Sequence, residues 1–148
     1  MDEPPLWEIE ADEAYRILWL RSFDPAIAVR ISRTGSSRSL TAISLSRMQS
    51  SDQPRDIEEQ TFRQLSRSNW SKSVELIDQS QFWDLPPIDL DEIIASVDGA
   101  QWILEGFREG SYHVVARTSP SAEGELSSFR AALLHLLQIS KLEISPIY

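Results

Sequence analysis

The chain has 148 residues, of which 41% are hydrophobic and 25% are charged, a composition typical of one globular domain. It contains no cysteine, which excludes disulfides, a thiolate nucleophile and a cysteine-ligated metal site. Its formal net charge of −9 argues against a nucleic-acid or anionic-membrane surface, because binding to phosphate groups depends on clustered Lys and Arg.

The N-terminal segment, residues 1–13, is acidic, and we expect it to precede a single domain that spans residues 14–148. The first fourteen residues carry six carboxylates and neither Lys nor Arg, unlike the basic start of a secretory signal. The apolar run at residues 131–139 is far shorter than the roughly 20 residues of a membrane-spanning helix. We therefore expect a cytoplasmic protein without a membrane span, or a periplasmic one if a leader has been removed.

Alternating apolar residues predict strands in the first half of the chain. In residues 14–23, Tyr15, Ile17 and Trp19 share one face. Residues 26–48 predict a β-hairpin with a turn at residues 34–37. Its alternating apolar residues are Ile27, Val29, Ile31, Leu40, Ile43 and Leu45.

Residues 50–60 are polar and contain Pro54, which predicts a loop, and residues 58–66 predict a fourth strand. A helix is predicted next, over residues 68–83, with Ser68 as its N-cap. Its buried face should carry Trp70, Val74 and Ile77.

The clearest pattern is DGAQWILEGFREGSYHVVARTSP, residues 98–120, which predicts a second hairpin with a two-residue turn at Glu109 and Gly110. This register sets Phe107 opposite Tyr112, Gly106 opposite His113, Leu104 opposite Val115 and Trp102 opposite Arg117.

A terminal helix follows, with an apolar stripe made of Phe129, Ala132, Leu133, Leu136 and Leu137 and with His135 beside it. The fold class that these elements predict is α+β, an antiparallel sheet of about five or six strands with two helices packed on one face.

The sequence predicts no catalytic residue, no metal site and no cofactor. It contains no Gly-x-Ser-x-Gly, Walker or Gly-x-Gly-x-x-Gly motif and no His-Glu-x-x-His pair. The acidic run at residues 89–98 lacks the glycine and the terminal glutamate of an EF-hand loop.

Residues 73–107 hold eight carboxylates and neither Lys nor Arg, which predicts either an ordinary solvated acidic surface or a patch that attracts a basic protein. The candidate partner-binding residues of this stretch are Trp83, Asp84, Asp89, Asp91 and Glu92.

A second candidate site uses the polar and aromatic residues of the 98–120 hairpin. The candidates for a ligand site are Trp102, Glu105, Tyr112, His113 and Arg117. Each also has a structural interpretation, such as an ion pair between Glu105 and a neighbouring Arg. The predicted register places Glu105 and His113 on opposite faces, which argues against a shared pocket.

The motifs Trp-Ile-Leu-Glu-Gly at residues 102–106, Tyr-His-Val-Val at 112–115, Arg117 and Ser-Pro at 119–120 make the chain resemble a family of small uncharacterised bacterial proteins. The resemblance covers roughly residues 15–142. It implies that the hairpin matters, and it implies no catalytic residue.

Three functions remain open. The first is a non-catalytic protein-binding module, such as an inhibitor or an immunity-type protein, for a partner with a basic surface. The second is a small-ligand-binding protein or enzyme that uses the 102–117 hairpin. The third is a structural domain of a larger assembly. The sequence leaves the oligomeric state open.

Overall fold

In the computed structural model, residues 4–21, 24–46, 56–88 and 100–142 are described. Within these ranges the chain forms one six-stranded antiparallel sheet and two α-helices that share a hydrophobic core with one face of the sheet. The α+β class, the strand number and the antiparallel sheet predicted from the sequence are confirmed.

The strands are β1 (Glu13–Leu20), β2 (Ile27–Thr34), β3 (Ser37–Leu45), β4 (Ile57–Gln64), β5 (Gln101–Arg108) and β6 (Ser111–Thr118). The helices are α1 (Arg67–Gln79) and α2 (Ser127–Ser140), and short 3-10 helices span Leu6–Glu8 and Phe82–Asp84. The strand order β4-β3-β2-β1-β5-β6 places β1 in the centre of the sheet, between its sequence neighbour β2 and the much later β5.

The core lies between the helices and what we call the helix-side face of the sheet; the opposite face is the outer face. On β1 the alternation of Tyr15, Ile17 and Trp19 places three large side chains in this core, each at most 1% exposed. All five residues of the apolar stripe predicted for the terminal helix are buried there as well. Full burial of one such side chain contributes roughly 1.5–3 kcal/mol, so this layer is the main source of stability.

The first hairpin forms with a two-residue turn, and the apolar residues of its second strand divide between the two faces of the sheet. Leu40 and Ala42 pair with Ile31 and Val29 and join the main core. Ile43 lies on the outer face and packs in a separate small cluster. Leu40 and Ile43 are three residues apart, so in a strand of period two their side chains lie on opposite faces.

Strand β4 begins at Ile57, inside the segment predicted to be a loop. Its first four residues, Ile-Glu-Glu-Gln, are exposed and mostly polar, so they carry no apolar alternation from which a strand could be recognised. Backbone pairing with β3 defines the strand instead.

Helix α1 starts one residue before the predicted N-cap. Ser66 is the cap, and its hydroxyl accepts a hydrogen bond from the Asn69 amide at 3.1 Å. The helix ends at Gln79, earlier than predicted, and Gln81 adopts a left-handed conformation with φ 57° before the second 3-10 helix.

Gly106 lies where the second 3-10 helix presses on the sheet. A Cβ atom at this position would be 2.6 Å from Cε1 of Phe82 and 3.1 Å from Cδ1 of Tyr15. Phe82 is fully buried in the core, so its ring has little room to move. The absence of a side chain at residue 106 therefore lets the 82–84 segment dock.

We predict that Gly106→Ala lowers the free energy of unfolding by about 1–3 kcal/mol, because the new methyl group overlaps the Phe82 ring. Urea denaturation followed by tryptophan fluorescence measures this loss. Adding Phe82→Leu should make the combined loss smaller than the sum of the two single losses. An unchanged urea midpoint for Gly106→Ala would contradict the close approach.

Helices α1 and α2 are joined by a polar contact at their interface. The Ser73 hydroxyl donates to the Asn69 carbonyl at 2.7 Å, so its oxygen is left to accept a hydrogen bond from Nε2 of His135, 3.1 Å away. Burial lowers the pKa of His135, and the positive charge of Lys72 lowers it further. Folding therefore favours the neutral imidazole.

We predict that the folded protein loses stability as pH falls through the unfolded-state pKa of histidine, about 6.5. Because the pKa of His135 is lowered by folding, the unfolded chain binds the proton more readily and acid shifts the equilibrium towards it. Urea midpoints of the wild type and of His135→Gln, compared at pH 7.5 and 5.0, test this. The wild type should lose more than the variant; equal losses would contradict a role for His135.

Candidate functional site

The 98–120 hairpin forms strands β5 and β6 with the predicted register. Gly106 lies opposite His113 and Trp102 lies opposite Arg117, as expected, and the turn is at Glu109 and Gly110. The five candidate ligand residues divide between the two faces of the sheet. Glu105 and Tyr112 lie on the outer face, whereas Trp102, His113 and Arg117 lie on the helix-side face.

On the outer face, Glu105 is the centre of a polar network. Its carboxylate accepts a hydrogen bond from Arg16 Nε at 2.6 Å and another from the Tyr112 hydroxyl at 2.8 Å. Arg16 and Glu105 face each other directly in the β1–β5 pair, and their side chains are 10% and 9% exposed. A buried carboxylate in the middle of a sheet is therefore fully engaged by protein groups.

The N-terminal segment covers this network. Arg16 Nη1 donates to the Pro4 carbonyl at 3.0 Å, Leu6 is completely buried, and the Trp7 ring meets the Tyr112 ring edge to face at 4.8 Å. Burial raises the pKa of Tyr112, and the hydrogen bond to Glu105 and its negative charge raise it further. The phenol therefore remains a hydrogen-bond donor across the physiological range.

On the helix-side face, Trp102 belongs to the core. It is 1% exposed, its ring lies 5.2 Å from that of Trp19, and the Arg130 guanidinium lies 5.6 Å from its centroid. These contacts leave the indole surrounded by protein.

His113 and Arg117 hold a neighbouring segment against β6. The Leu85 carbonyl lies 2.9 Å from His113 Nε2, and since a carbonyl can only accept, this nitrogen carries the proton. Arg117 donates to the Pro86 carbonyl at 2.7 Å and to the Pro87 carbonyl at 3.3 Å. Both side chains act as braces for a segment that contains two prolines and can supply few backbone donors itself.

The partner-binding candidates lie beside this segment. Trp83 is partly buried and packs against the edge of the hydrophobic core. Its ring stacks on His113, and the Arg108 guanidinium lies 4.9 Å from the centroid of the Trp83 ring. Asp84 is exposed. Asp89, Asp91 and Glu92 fall outside the described residues.

Two further carboxylates, those of Glu75 and Asp78, precede Asp84 in the chain. The backbone carbonyl of Asp78 accepts a hydrogen bond from the Gln81 amide, and the Gln81 carbonyl accepts one from the Asp84 amide, so two consecutive backbone turns connect Asp78 to Asp84. Glu75 lies one turn earlier on α1. The side chains of Glu75 and Asp78 are 53% and 48% exposed. We call Glu75, Asp78 and Asp84 the acidic end of α1.

The sequence reasoning did not single out Arg16 and Trp7. A charged residue in the middle of an apolar central strand is the signal that could have identified Arg16, because such a residue needs a buried partner. Trp7 carried no signal of its own, since its contact with Tyr112 joins residues far apart in the chain.

A metal site and a membrane-spanning helix are two features that a sequence reveals only in part. Among the described residues, no cluster of three or more His, Cys, Asp or Glu could hold a metal ion. No helix in the described ranges is long and apolar enough to cross a membrane.

No protein-family model matches the chain, and a search of curated proteins finds no significant match.

We predict that Glu105→Ala destabilises the fold by about 3–5 kcal/mol, because the buried guanidinium of Arg16 loses its carboxylate partner. Tyr112→Phe removes a single hydrogen bond and should cost about 0.5–1.5 kcal/mol. Urea unfolding of both variants measures these losses, with the exposed Glu125→Ala as the control, expected within about 0.5 kcal/mol of wild type. If Glu105→Ala were no more destabilising than the control, Glu105 would not be a structural residue.

Proposed function

We propose that the protein is a non-catalytic protein-binding module whose acidic surface meets a basic partner, in the manner of an inhibitor or immunity-type protein. The observation that carries this proposal is the run of residues 73–107, which holds seven carboxylates besides the buried Glu105 and neither Lys nor Arg, in a chain of net charge −9. A surface of one sign attracts a partner of the opposite sign and speeds their encounter.

The state of the hairpin side chains supports binding of a protein rather than chemistry on a small molecule. Glu105, His113 and Arg117 each hydrogen-bond to another part of the chain. A ligand could use them only by displacing these partners. The groups that remain accessible are carboxylates such as Asp84, which suit a basic protein surface.

The acidic end of α1 supplies part of the surface. Lys72 lies 3.8 Å from Glu75, and Arg108 lies 3.2 Å from Asp78, so two of its three charges have a basic neighbour. Exposed pairs of this kind are weak and leave the carboxylates available to a partner. Asp84 is exposed, and the proposal adds Asp89, Asp91 and Glu92 because they follow it closely in the sequence.

We predict that neutralising this surface abolishes salt-sensitive binding. The test variant carries Asp84→Asn, Asp89→Asn, Asp91→Asn and Glu92→Gln. The control variant carries Glu8→Gln, Glu10→Gln, Glu123→Gln and Glu125→Gln, which change four exposed carboxylates elsewhere and alter the net charge equally.

Each protein is immobilised and incubated with a lysate of the cells that encode it, at low and at moderate salt. We expect wild type and control to retain one basic partner in stoichiometric amount, with less retained at higher salt because charges are screened. The test variant should not retain it. Equal capture by the test variant and the control, or no partner at low salt, would overturn the proposal.

A further inference from the structure

The two edges of the sheet are protected differently. Along β6, the Ala116 amide donates to the Pro87 carbonyl at 2.8 Å, and Ile88 forms a parallel bridge with Ala116. Strand β4 pairs with β3 on one side, and no strand from the described ranges pairs with its other side. Such an edge presents a row of backbone N–H and C=O groups that can pair with another strand.

Strand β4 also carries exposed apolar side chains. Phe62 is 68% exposed and Ile57 is 54% exposed, the first and joint second largest exposed fractions among the large hydrophobic residues of the described chain. The strand contains neither Lys nor Pro, two residues that commonly block edge pairing, and its register with β3 is regular from Glu59 to Gln64. Within the described part of the chain this edge is therefore available to a further strand.

Arg63 on this strand has unmet hydrogen-bonding capacity. Its Nε and Nη2 atoms are buried, and among the described residues neither atom has a hydrogen-bond partner. Leaving charged donors without an acceptor is unfavourable, so an acceptor supplied from outside the chain would be stabilising. The residue as a whole is half-buried, so part of its side chain lies at the surface, next to the position of an added strand.

Glu59 lies on the same face of β4 as Arg63, four residues earlier. Four residues of an extended strand span about 13 Å, so the two cannot form an ion pair within one chain. The two residues can meet between two chains if a second copy is related to the first by a two-fold axis perpendicular to the sheet. If Thr61 lies opposite its own counterpart, Glu59 of each chain lies directly opposite the partner's Arg63, with Cβ atoms about 4.5–5.5 Å apart.

We propose that β4 pairs antiparallel with β4 of a second copy of this chain, in the register that sets Thr61 opposite the partner's Thr61. The dimer has one continuous sheet of twelve strands and two symmetric Glu59–Arg63 pairs. A Thr–Thr pair at the axis is also a favourable cross-strand contact. In this register Phe62 lies opposite the partner's Gln60, which covers part of its ring.

Neighbouring registers lack this complementarity. A two-fold axis perpendicular to the sheet places each residue opposite one whose side chain lies on the same face. The alternative registers are those in which the axis passes through a different residue of β4. With Gln60 opposite its counterpart, Glu59 lies opposite Thr61 and Arg63 opposite Ile57. With Phe62 on the axis, Arg63 lies opposite Thr61. The charged residues therefore select the register centred on Thr61.

This edge is distinct from the segment that carries Asp84, because the neighbouring Trp83 stacks on His113 of β6, and β4 and β6 are at opposite ends of the sheet. An interface of one strand pair is small, so the association is expected to be weak and to need a wide concentration range for measurement. Sedimentation equilibrium from about 1 to 500 µM gives the dimer dissociation constant.

Charge reversal tests the register. Glu59→Arg and Arg63→Glu each place like charges opposite one another and should weaken the dimer at least about tenfold. The double variant, Glu59→Arg with Arg63→Glu, restores opposite charges and should recover the dimer. Mixing the two single variants should give a heterodimer, because each supplies the charges that the other lacks.

Glu123→Arg, a reversal at an exposed residue outside the sheet, is the control and should dimerise as wild type does. Circular dichroism verifies that every variant is folded. A wild type that stays monomeric throughout the concentration range would overturn the proposal. So would a dimer that the single reversals leave intact, since it would use another surface, and so would a double variant that fails to recover.

Discussion

The buried pairing of Arg16 with Glu105 is the interaction on which the arrangement of the molecule depends. The two residues are 89 positions apart in the chain, and their contact fixes the register of β1 against β5 at the centre of the sheet. The same carboxylate receives Tyr112 from β6, and the same guanidinium holds the Pro4 carbonyl. One ion pair therefore joins the N-terminal segment, the central strand and the second hairpin. Removing either partner would leave a charge in a place that water cannot reach easily.

The parts of the structure that were predictable from the sequence are those specified by residues close together in the chain. The second hairpin was predicted in its register because a two-residue turn containing Gly110 and alternating apolar residues specify it locally. The stripe of α2 was predicted because five apolar side chains follow helical spacing. Strand β4 was predicted only in part, since an exposed edge strand needs no apolar alternation and Phe62 is accepted there although it is exposed.

The candidate sites were less accessible to sequence reasoning because they depend on contacts between distant segments. That Glu105 needs a basic partner follows from its position within a strand, but which residue supplies the charge follows only from the strand order. Likewise, His113 and Arg117 were candidates for a ligand site because they are polar residues of a hairpin. Their partners, the carbonyls of Leu85 and Pro86, lie in a loop and could not be identified from the sequence. Polar side chains that look like a ligand site can thus instead hold one segment of the chain against another through hydrogen bonds.

The strand order also determines how the protein must be made. About eighty residues separate the end of β1 at Leu20 from the start of β5 at Gln101, and a ribosome that adds about 5–20 residues per second needs roughly 4–16 s to synthesise them. During this interval β2, β3 and β4 can already pair with β1, while the opposite edge of β1 has no neighbour. The nascent chain therefore carries an open edge at the centre of its future sheet until the hairpin emerges, which makes this the stage of synthesis most exposed to aggregation and to the action of chaperones.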